Sequence, residues 1–404
     1  MSLIVQKFGG TSVMNTKRLM NVASIVTATY DSGNNVVVVV SAQGHTTDEL
    51  IDKALKLSAR PSKREMDMLM SSGEQISIAL LAIAIESMGY PVISFTGWQA
   101  GIHTDSSYSS AWITDIDTGR VKQELDQNKI VIVAGFQGIN PQNDITTLGR
   151  GGSDTSAVAL AAALGADRCQ IYTDVDGVYT ADPRKIPAAI RLDEISYDEM
   201  LELSSAGAQV MHNRSIEMAR KHRVVIEVLS SLTNKSGTII KAVTRPDKLL
   251  IKGVAKDEQL ATVTLANVPD VPGTAYKIFS LLSAKGLNVD IILQGGGKQE
   301  VKDVTFAVAS RDIDLALEAI SSNLDEIGSR ELSYDTDCCK ISIVGAGLQS
   351  NPGIATKMFA ALAEAGINIK IISSGEIRLA VILKRSDGDR AIKAIHDAFY
   401  AECS

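Results

Sequence analysis

Residues 5–12 read Val-Gln-Lys-Phe-Gly-Gly-Thr-Ser, an apolar run that ends in a cation, two residues without side chains and two hydroxyls. Amides of a Gly-Gly strand-to-helix turn can point at an anion, a helix N-terminus adds partial positive charge, and Lys7 adds a full one, so this stretch suits phosphate. An ordinary βα turn with a surface lysine has the same look. A second cluster, residues 146–155, sets Arg150, three glycines, Ser153 and Asp154 ahead of an Ala-rich helix expected over 157–164. Its helix start is another anion seat. Asp154 there reads as an organiser of Lys7 or of Mg²⁺, or as a plain N-cap. The third cluster, residues 172–184, holds Thr173, Asp174, Asp176, Tyr179, Thr180, Asp182 and Arg184 with Pro183 ending the turn. Acids, hydroxyls and an arginine in that order suit a nucleotide's ribose and phosphates with an associated metal; EF-hand spacing and its closing Glu are absent.

Further polar candidates sit where apolar runs end. Ser41, Thr46, Thr47 and Asp48 follow five consecutive valines, at the kind of strand end where open α/β sheets bind ligands, although Thr47 or Asp48 could simply cap the next helix. Glu74 precedes the apolar run 76–85 and reads either as a first-turn acid or as a carboxylate aimed at an ammonium group. His103 has no visible Ser or Cys partner and is read as structural.

The elements that must position these groups are legible from periodicity. Apolar runs at 3–8, 36–40, 91–95, 129–136, 168–172 and 224–229 read as strands, the valine run as one buried on both faces of a parallel sheet. Helices are expected at 12–30, 157–164, 192–204 and 207–221, and 98–108 as a polar loop. Residues 244–248 break the pattern, and the chain beyond them is duplicated: 272–292 recurs as 352–372, each copy flanked by alternating strands. This is a βαββαβ unit used twice, with room for a small ligand at each Pro-Gly helix start. Gly345-Ala346-Gly347 belongs to that repeat rather than to a dinucleotide fingerprint. With 404 residues, 45% of them hydrophobic, two or three domains are expected. A net charge of −7 disfavours nucleic acid and anionic membrane as partners. No apolar run reaches bilayer length and no signal-peptide pattern opens the chain. Cys169, Cys338, Cys339 and Cys403 lack metal or disulfide spacing and read as free thiols in a reducing cytosol.

Residues 7–12, 149–154 and 173–184 together closely resemble the motif set of aspartate kinases, and the duplicated tail resembles tandem ACT regulatory domains. The resemblance spans essentially the whole chain. It implies an α/β fold, a three-layer αβα kinase domain over 1–245, then ferredoxin-like ACT domains over 250–335 and 336–404, the second completed by a strand near 250–260. The implied reaction uses ATP and Mg²⁺ to phosphorylate the β-carboxylate of L-aspartate, the first step towards lysine, threonine, methionine and diaminopimelate. Lys7 would meet the transferring phosphoryl group, cradled by Phe8, Gly9 and Gly10, with Asp154 organising that centre. Ser41, Thr47, Glu74, Arg150 and Ser153 would hold aspartate, Glu74 taking the ammonium and Arg150 a carboxylate; Thr173, Asp174, Tyr179, Thr180, Asp182 and Arg184 would line the nucleotide site. One departure stands out: Gln209 occupies a position where several members carry a lysine, leaving Arg184, Arg214 or a second Mg²⁺ to supply that charge.

The ACT resemblance further implies feedback by lysine, threonine or both, bound near Asp270, Pro272, Gly273, Asn288, Val289, Asp290 and Gln294, in a cytoplasmic homodimer or larger homo-oligomer. A separate small subunit from an internal start is not expected, since no methionine lies between Met218 and Met358. Competing readings are a kinase for glutamate, acetylglutamate or a nucleoside monophosphate, and a catalytically weak amino-acid sensor.

Overall fold

The computed structural model describes residues 1–208, 210–233, 235–243, 249–296, 301–329 and 331–401. Gln209, Cys403 and the 244–248 break lie outside them. The chain forms two compact units: Met1–Tyr179, Ile190–Ser205 and Gln209–Lys248 make the first, and Thr180–Ala189, Ala206–Ala208 and Leu249–Ser404 the second.

In the first unit, β1 (Leu3–Phe8) runs into one 3-10 turn (Gly10–Ser12) before α1 (Thr16–Asp31) begins. The helix starts later than its hydroxyls suggest because Asn15 supplies the N-cap, accepting from the Arg18 amide at 3.0 Å. Ser12 Oγ instead shares a 2.7 Å hydrogen bond with Ser231 Oγ. β2 (Asn35–Val40) carries the valines, all buried. α2 (Thr46–Leu57) and α3 (Lys63–Ser87) follow. By length and composition alone α3 could cross a membrane, although no apolar run in the sequence had the length to suggest it. Its Ile78, Leu81 and Ile85 pack with Leu19, Val22 and Val26 of α1 over Val36, Val38 and Val40, as a core helix does. Glu74 therefore stands in the middle of a 25-residue helix, not in a first turn.

β3 (Val92–Phe95) is followed by β4 (Ile102–Thr104), β5 (Ile113–Ile116), α4 (Gly119–Asp126), β6 (Ile130–Ala134), β7 (Gln137–Ile139) and β8 (Ile145–Thr147). The stretch read as a loop at 98–108 thus contains β4, with His103 exposed on it, and a small sheet forms in the order β5-β4-β7-β8. α5 (Gly152–Leu164) starts ahead of the expected alanines and packs on β1, β2 and β9 (Arg168–Thr173). β10 (Glu194–Ser196), α6 (Tyr197–Ser205), α7 (Asn213–His222), β11 (Ile226–Ser230) and β12 (Thr238–Lys241) complete the unit. Both late helices begin after their expected starts, and β12, not the strand at 224–229, is the last of this half. The large sheet runs β10-β12-β11-β9-β1-β2-β6-β3. From β11 to β3 its pairings are parallel, between helical layers.

The second unit holds two four-stranded antiparallel sheets. β13 (Gly253–Asp257) comes first in the chain, then β14 (Leu260–Pro269), α8 (Thr274–Ala284), β15 (Ile292–Gly296), β16 (Val301–Ala309), α9 (Ile313–Ser321), α10 (Leu324–Ile327) and β17 (Glu331–Asp335). β18 (Cys339–Val344), α11 (Gly347–Ser350), α12 (Gly353–Glu364), β19 (Ile369–Ser374), β20 (Arg378–Leu383) and α13 (Gly388–Tyr400) follow. One sheet is ordered β15-β16-β14-β17, the other β13-β18-β20-β19. Both have the ferredoxin-like order, but in the second sheet the outer strand beside β18 comes from ahead of the first repeat. Leu260, Ile291, Ala307, Cys338 and Ile382 form a shared apolar cluster drawn from both repeats.

Candidate active site

β9, β1, β2 and β6 are adjacent parallel strands whose ends align: Phe8 pairs with Val40 and Tyr172, and Val40 with Ala134. The loops that leave these ends converge on one side of the sheet, where open α/β folds bind ligands. Lys7, one residue before the end of β1, meets Asp154 Oδ1 at 2.6 Å, an ion pair without hydrogen-bond alignment, with side chains only 12% and 13% exposed. Asp154 reaches it from the first turn of α5 and does not cap that helix. Gly151, at φ +70°, is the N-cap, and a Cβ there would lie 2.3 Å from His212 Cβ. Ser153, 8% exposed, shares the turn.

The loop after β1 lies against the loop after β2. Gly10 accepts from the Gly44 amide at 3.0 Å, and a side chain at Gly10 would come within 2.6 Å of the Ala42 carbonyl oxygen. The Gly9 amide turns to the Tyr172 carbonyl at 3.4 Å, and the Phe8 and Tyr172 rings stack at 4.5 Å. Ser41, half-buried, donates its amide to the Phe8 carbonyl at 3.1 Å. Thr47 is half-buried in the first turn of α2, and neither it nor Asp48 is a cap: His45 occupies the N-cap position and faces Asp48 at 3.6 Å.

Glu74 enters from α3. Its Oε1 accepts from the Ala42 amide at 3.0 Å, while Oε2 is buried without a partner. Burial, opposed by that amide, pushes the Glu74 carboxyl up to about 7. A buried carboxylate oxygen with nothing to accept from is a seat for a cationic group. Arg150, by contrast, is exposed, and no ion pair engages it among the described residues.

Two charged residues frame the Arg150 loop, and sequence reasoning missed the first of them. Asp67, fully buried in α3, accepts from the amides of Ser109 and Thr147 at 2.9 Å each, and from their hydroxyls at 3.2 and 2.8 Å. Arg214 donates to the carbonyls of Leu148 at 2.6 Å and Ala111 at 2.8 Å and lies 4.1 Å over the Trp112 ring. Its guanidinium thus braces the 148 and 111 backbone.

Of the third cluster, Thr173, Asp174 and Tyr179 belong to the first unit. Thr173 donates to Asp174 at 3.0 Å, and the Tyr179 hydroxyl donates to Asp176 at 2.6 Å. Burial and Asp176 push the Tyr179 hydroxyl up to about 12, and that same hydroxyl holds the Asp176 carboxyl below its usual range. Thr180, Asp182 and Arg184 are counted with the second unit; Arg184 Nε donates to Asp182 at 3.0 Å and remains largely exposed.

The effector candidates are also in the second unit. Gly273 is the N-cap of α8 at φ +95°, with Pro272 exposed before it, and Asp270 pairs with Lys302 at 2.9 Å. Asn288, Val289 and Asp290 precede β15, which carries Gln294, so the strand starts later than expected. Asp290 faces Lys340 and, at 3.6 Å, Arg378. No cluster of three or more His, Cys, Asp or Glu side chains is assembled for a metal among the described residues. The Asp154 carboxylate beside Lys7 is a donor that suits a Mg²⁺ carried on nucleotide phosphates.

The chain matches the amino acid kinase family over residues 2–230 and the ACT domain over residues 263–324 and 341–399. It is 47% identical over 400 residues to the aspartokinase of Bacillus sp. strain MGA3, covering 99% of this chain and 97% of that one. Among solved structures, aspartokinase III of E. coli in complex with aspartate and ADP (R-state) has the same fold, with a TM-score of 0.81 at 24% identity over 98% of this chain and 100% of that one. The same enzyme with lysine and aspartate (T-state) gives 0.74 at 25% identity, covering 98% and 99%.

Proposed function

The chain belongs to the aspartokinase family, and on that premise we propose which of its residues carry the reaction. It transfers a phosphoryl group from ATP to the β-carboxylate of L-aspartate, giving 4-phospho-L-aspartate, under allosteric control by its ACT domains. A carboxylate acceptor is already ionised at neutral pH, so no general base is required; the demands are charge neutralisation and in-line placement.

Lys7 stabilises the transferring phosphoryl group, and Asp154, 2.6 Å away, holds its ammonium in place until phosphate arrives. Gly9, Gly10 and Phe8 shape the turn that the phosphate approaches. Glu74 binds the ammonium of aspartate through its unpartnered Oε2, Arg150 clamps a carboxylate in bidentate fashion, and Ser41, Thr47 and Ser153 supply hydroxyls. Thr173, Asp174 and Tyr179 contact the nucleotide. Mg²⁺ bound with ATP, with Asp154 as its protein ligand, would neutralise phosphate charge.

Residues 1–245 form the catalytic domain, 250–335 and 336–404 the two ACT domains, with the second completed by the strand near 250–260. Lysine, threonine or both bind at Asp270, Pro272, Gly273, Asn288, Val289, Asp290 and Gln294, in a cytoplasmic homo-oligomer. The lysine complex of the E. coli relative supports lysine as one effector.

The observation that carries this assignment is the largely buried Lys7–Asp154 pair at the convergent strand ends. A coupled assay of ADP release tests it: release should require both ATP and aspartate, and Lys7→Ala should slow it by about two to three orders of magnitude in a folded protein. Near-normal turnover in that variant would remove Lys7 from the phosphoryl site.

A further inference from the structure

Asp67 is buried completely, yet no cation pairs with it among the described residues. Its charge is balanced by four hydrogen-bond donors instead: Oδ2 takes the amides of Ser109 and Thr147, and Oδ1 their hydroxyls. The two residues it joins are far apart in sequence and both adjoin the Arg150 turn. Thr147 ends β8, two residues before Gly149. Ser109 has φ +68°, a left-handed backbone that a non-glycine residue adopts only when its surroundings enforce it. Its carbonyl oxygen lies 3.0 Å from where a Gly149 Cβ would be. On the carbonyl side of the same two segments Arg214 spans Leu148 and Ala111, and the Ala111 amide donates to the Thr147 carbonyl at 2.9 Å. An anion gathers the amides and a cation gathers the carbonyls, so the base of the turn is tied from both ends while Arg150 at its tip stays exposed.

We propose that Asp67 is a positioning residue for Arg150, setting affinity for the carboxylate of the acceptor amino acid without touching it. The inference rests on the assignment of Arg150 to aspartate binding. Asp67→Asn can still meet the two hydroxyls with its NH₂ group and the two amides with its carbonyl oxygen, but it replaces four charge-assisted hydrogen bonds by weaker neutral ones, so the hold on the Ser109 and Thr147 segments loosens and Arg150 loses part of its fixed base. The expected result in the full chain is a rise of about tenfold in the KM for aspartate, with the KM for ATP changed less than about twofold. Thr147→Val, which removes one hydroxyl bond while keeping the shape, should move the aspartate KM in the same direction, and Thr147→Ser should restore it. If Asp67→Asn does not fold, the Thr147 pair carries the test. An unchanged aspartate KM in the folded variants, or equal rises in both KM values, would overturn the inference. Absence of aspartate-dependent ADP release from the unmodified chain would overturn the parent assignment as well, and is read before any variant is made.

Discussion

Glu74 concentrates the site's pH dependence in one carboxyl. Its pKa of about 7, against 4.5 for a free side chain, means that near neutrality the apo enzyme holds a partly protonated acid at the seat proposed for the ammonium of aspartate. Only the ionised form attracts that ammonium, so aspartate affinity should fall as pH drops below about 7, by about tenfold per unit once protonation is dominant. Measuring kcat/KM for aspartate from pH 5.5 to 8.5 checks this, and Glu74→Gln should flatten the acid limb at a low plateau. The stability sign is opposite. Because the folded pKa is raised, the stability contribution is fully present below about 4.5 and is lost as pH rises through about 7, so thermal denaturation without aspartate should show this loss and added aspartate should reduce it. Lys7→Ala should lower kcat by about two to three orders of magnitude. It also leaves Asp154 nearly buried and unpaired, so its melting temperature should drop, and Lys7→Ala combined with Asp154→Asn should recover part of that drop.

At the scale of elements, the site depends on how closely the loops after β1 and β2 approach. Gly10→Ala would place a methyl group 2.6 Å from the Ala42 carbonyl and displace the segment whose amide Glu74 accepts. A loss of about 1–3 kcal/mol of stability is expected, together with a higher aspartate KM, measurable by denaturation and steady-state kinetics. The long apolar strands were legible in the sequence because burial on both faces of a parallel sheet leaves little choice of residue type. The glycine-rich turns of the candidate site were legible because glycine, hydroxyl and charge crowd together where those strands end. β4, β7, β8, β10 and β12 were not, since strands of three or four residues carry too little periodicity to separate from turns. Asp67 escaped notice for a related reason: within Lys63-Arg64-Glu65-Met66-Asp67 it looks like one more charge on a solvated helical turn, and only the tertiary fold brings Ser109 and Thr147 onto it. Arg214, one of three alternatives for a charge near the nucleotide, braces the Leu148 and Ala111 carbonyls, a role that its place in the sequence did not reveal.

For the molecule as a whole, the duplicated tail was visible as a repeat, and the aspartokinase assignment came from three motifs in order. The division into compact units was less visible, because the chain leaves the first unit at Tyr179 and rejoins it at Ile190, and nothing in local composition marks such an excursion. A fragment spanning 249–404 should give a cooperative melt and dispersed amide signals. One that starts at 258 should not, because β18 loses β13 and Lys340 loses the nearby Asp257 carboxylate. Calorimetry of lysine and threonine with the longer fragment, once shown to be folded, would test effector binding directly.

β13 has a bearing on inheritance as well as on folding. Its sequence precedes one repeat, yet its hydrogen bonds serve the other. During translation it must wait until the whole intervening module has emerged before meeting its partner. A genetic crossover inside the first repeat would hand each descendant a tail from one parent sealed by a strand from the other, so the two copies can diverge in sequence but cannot be shuffled as independent cassettes.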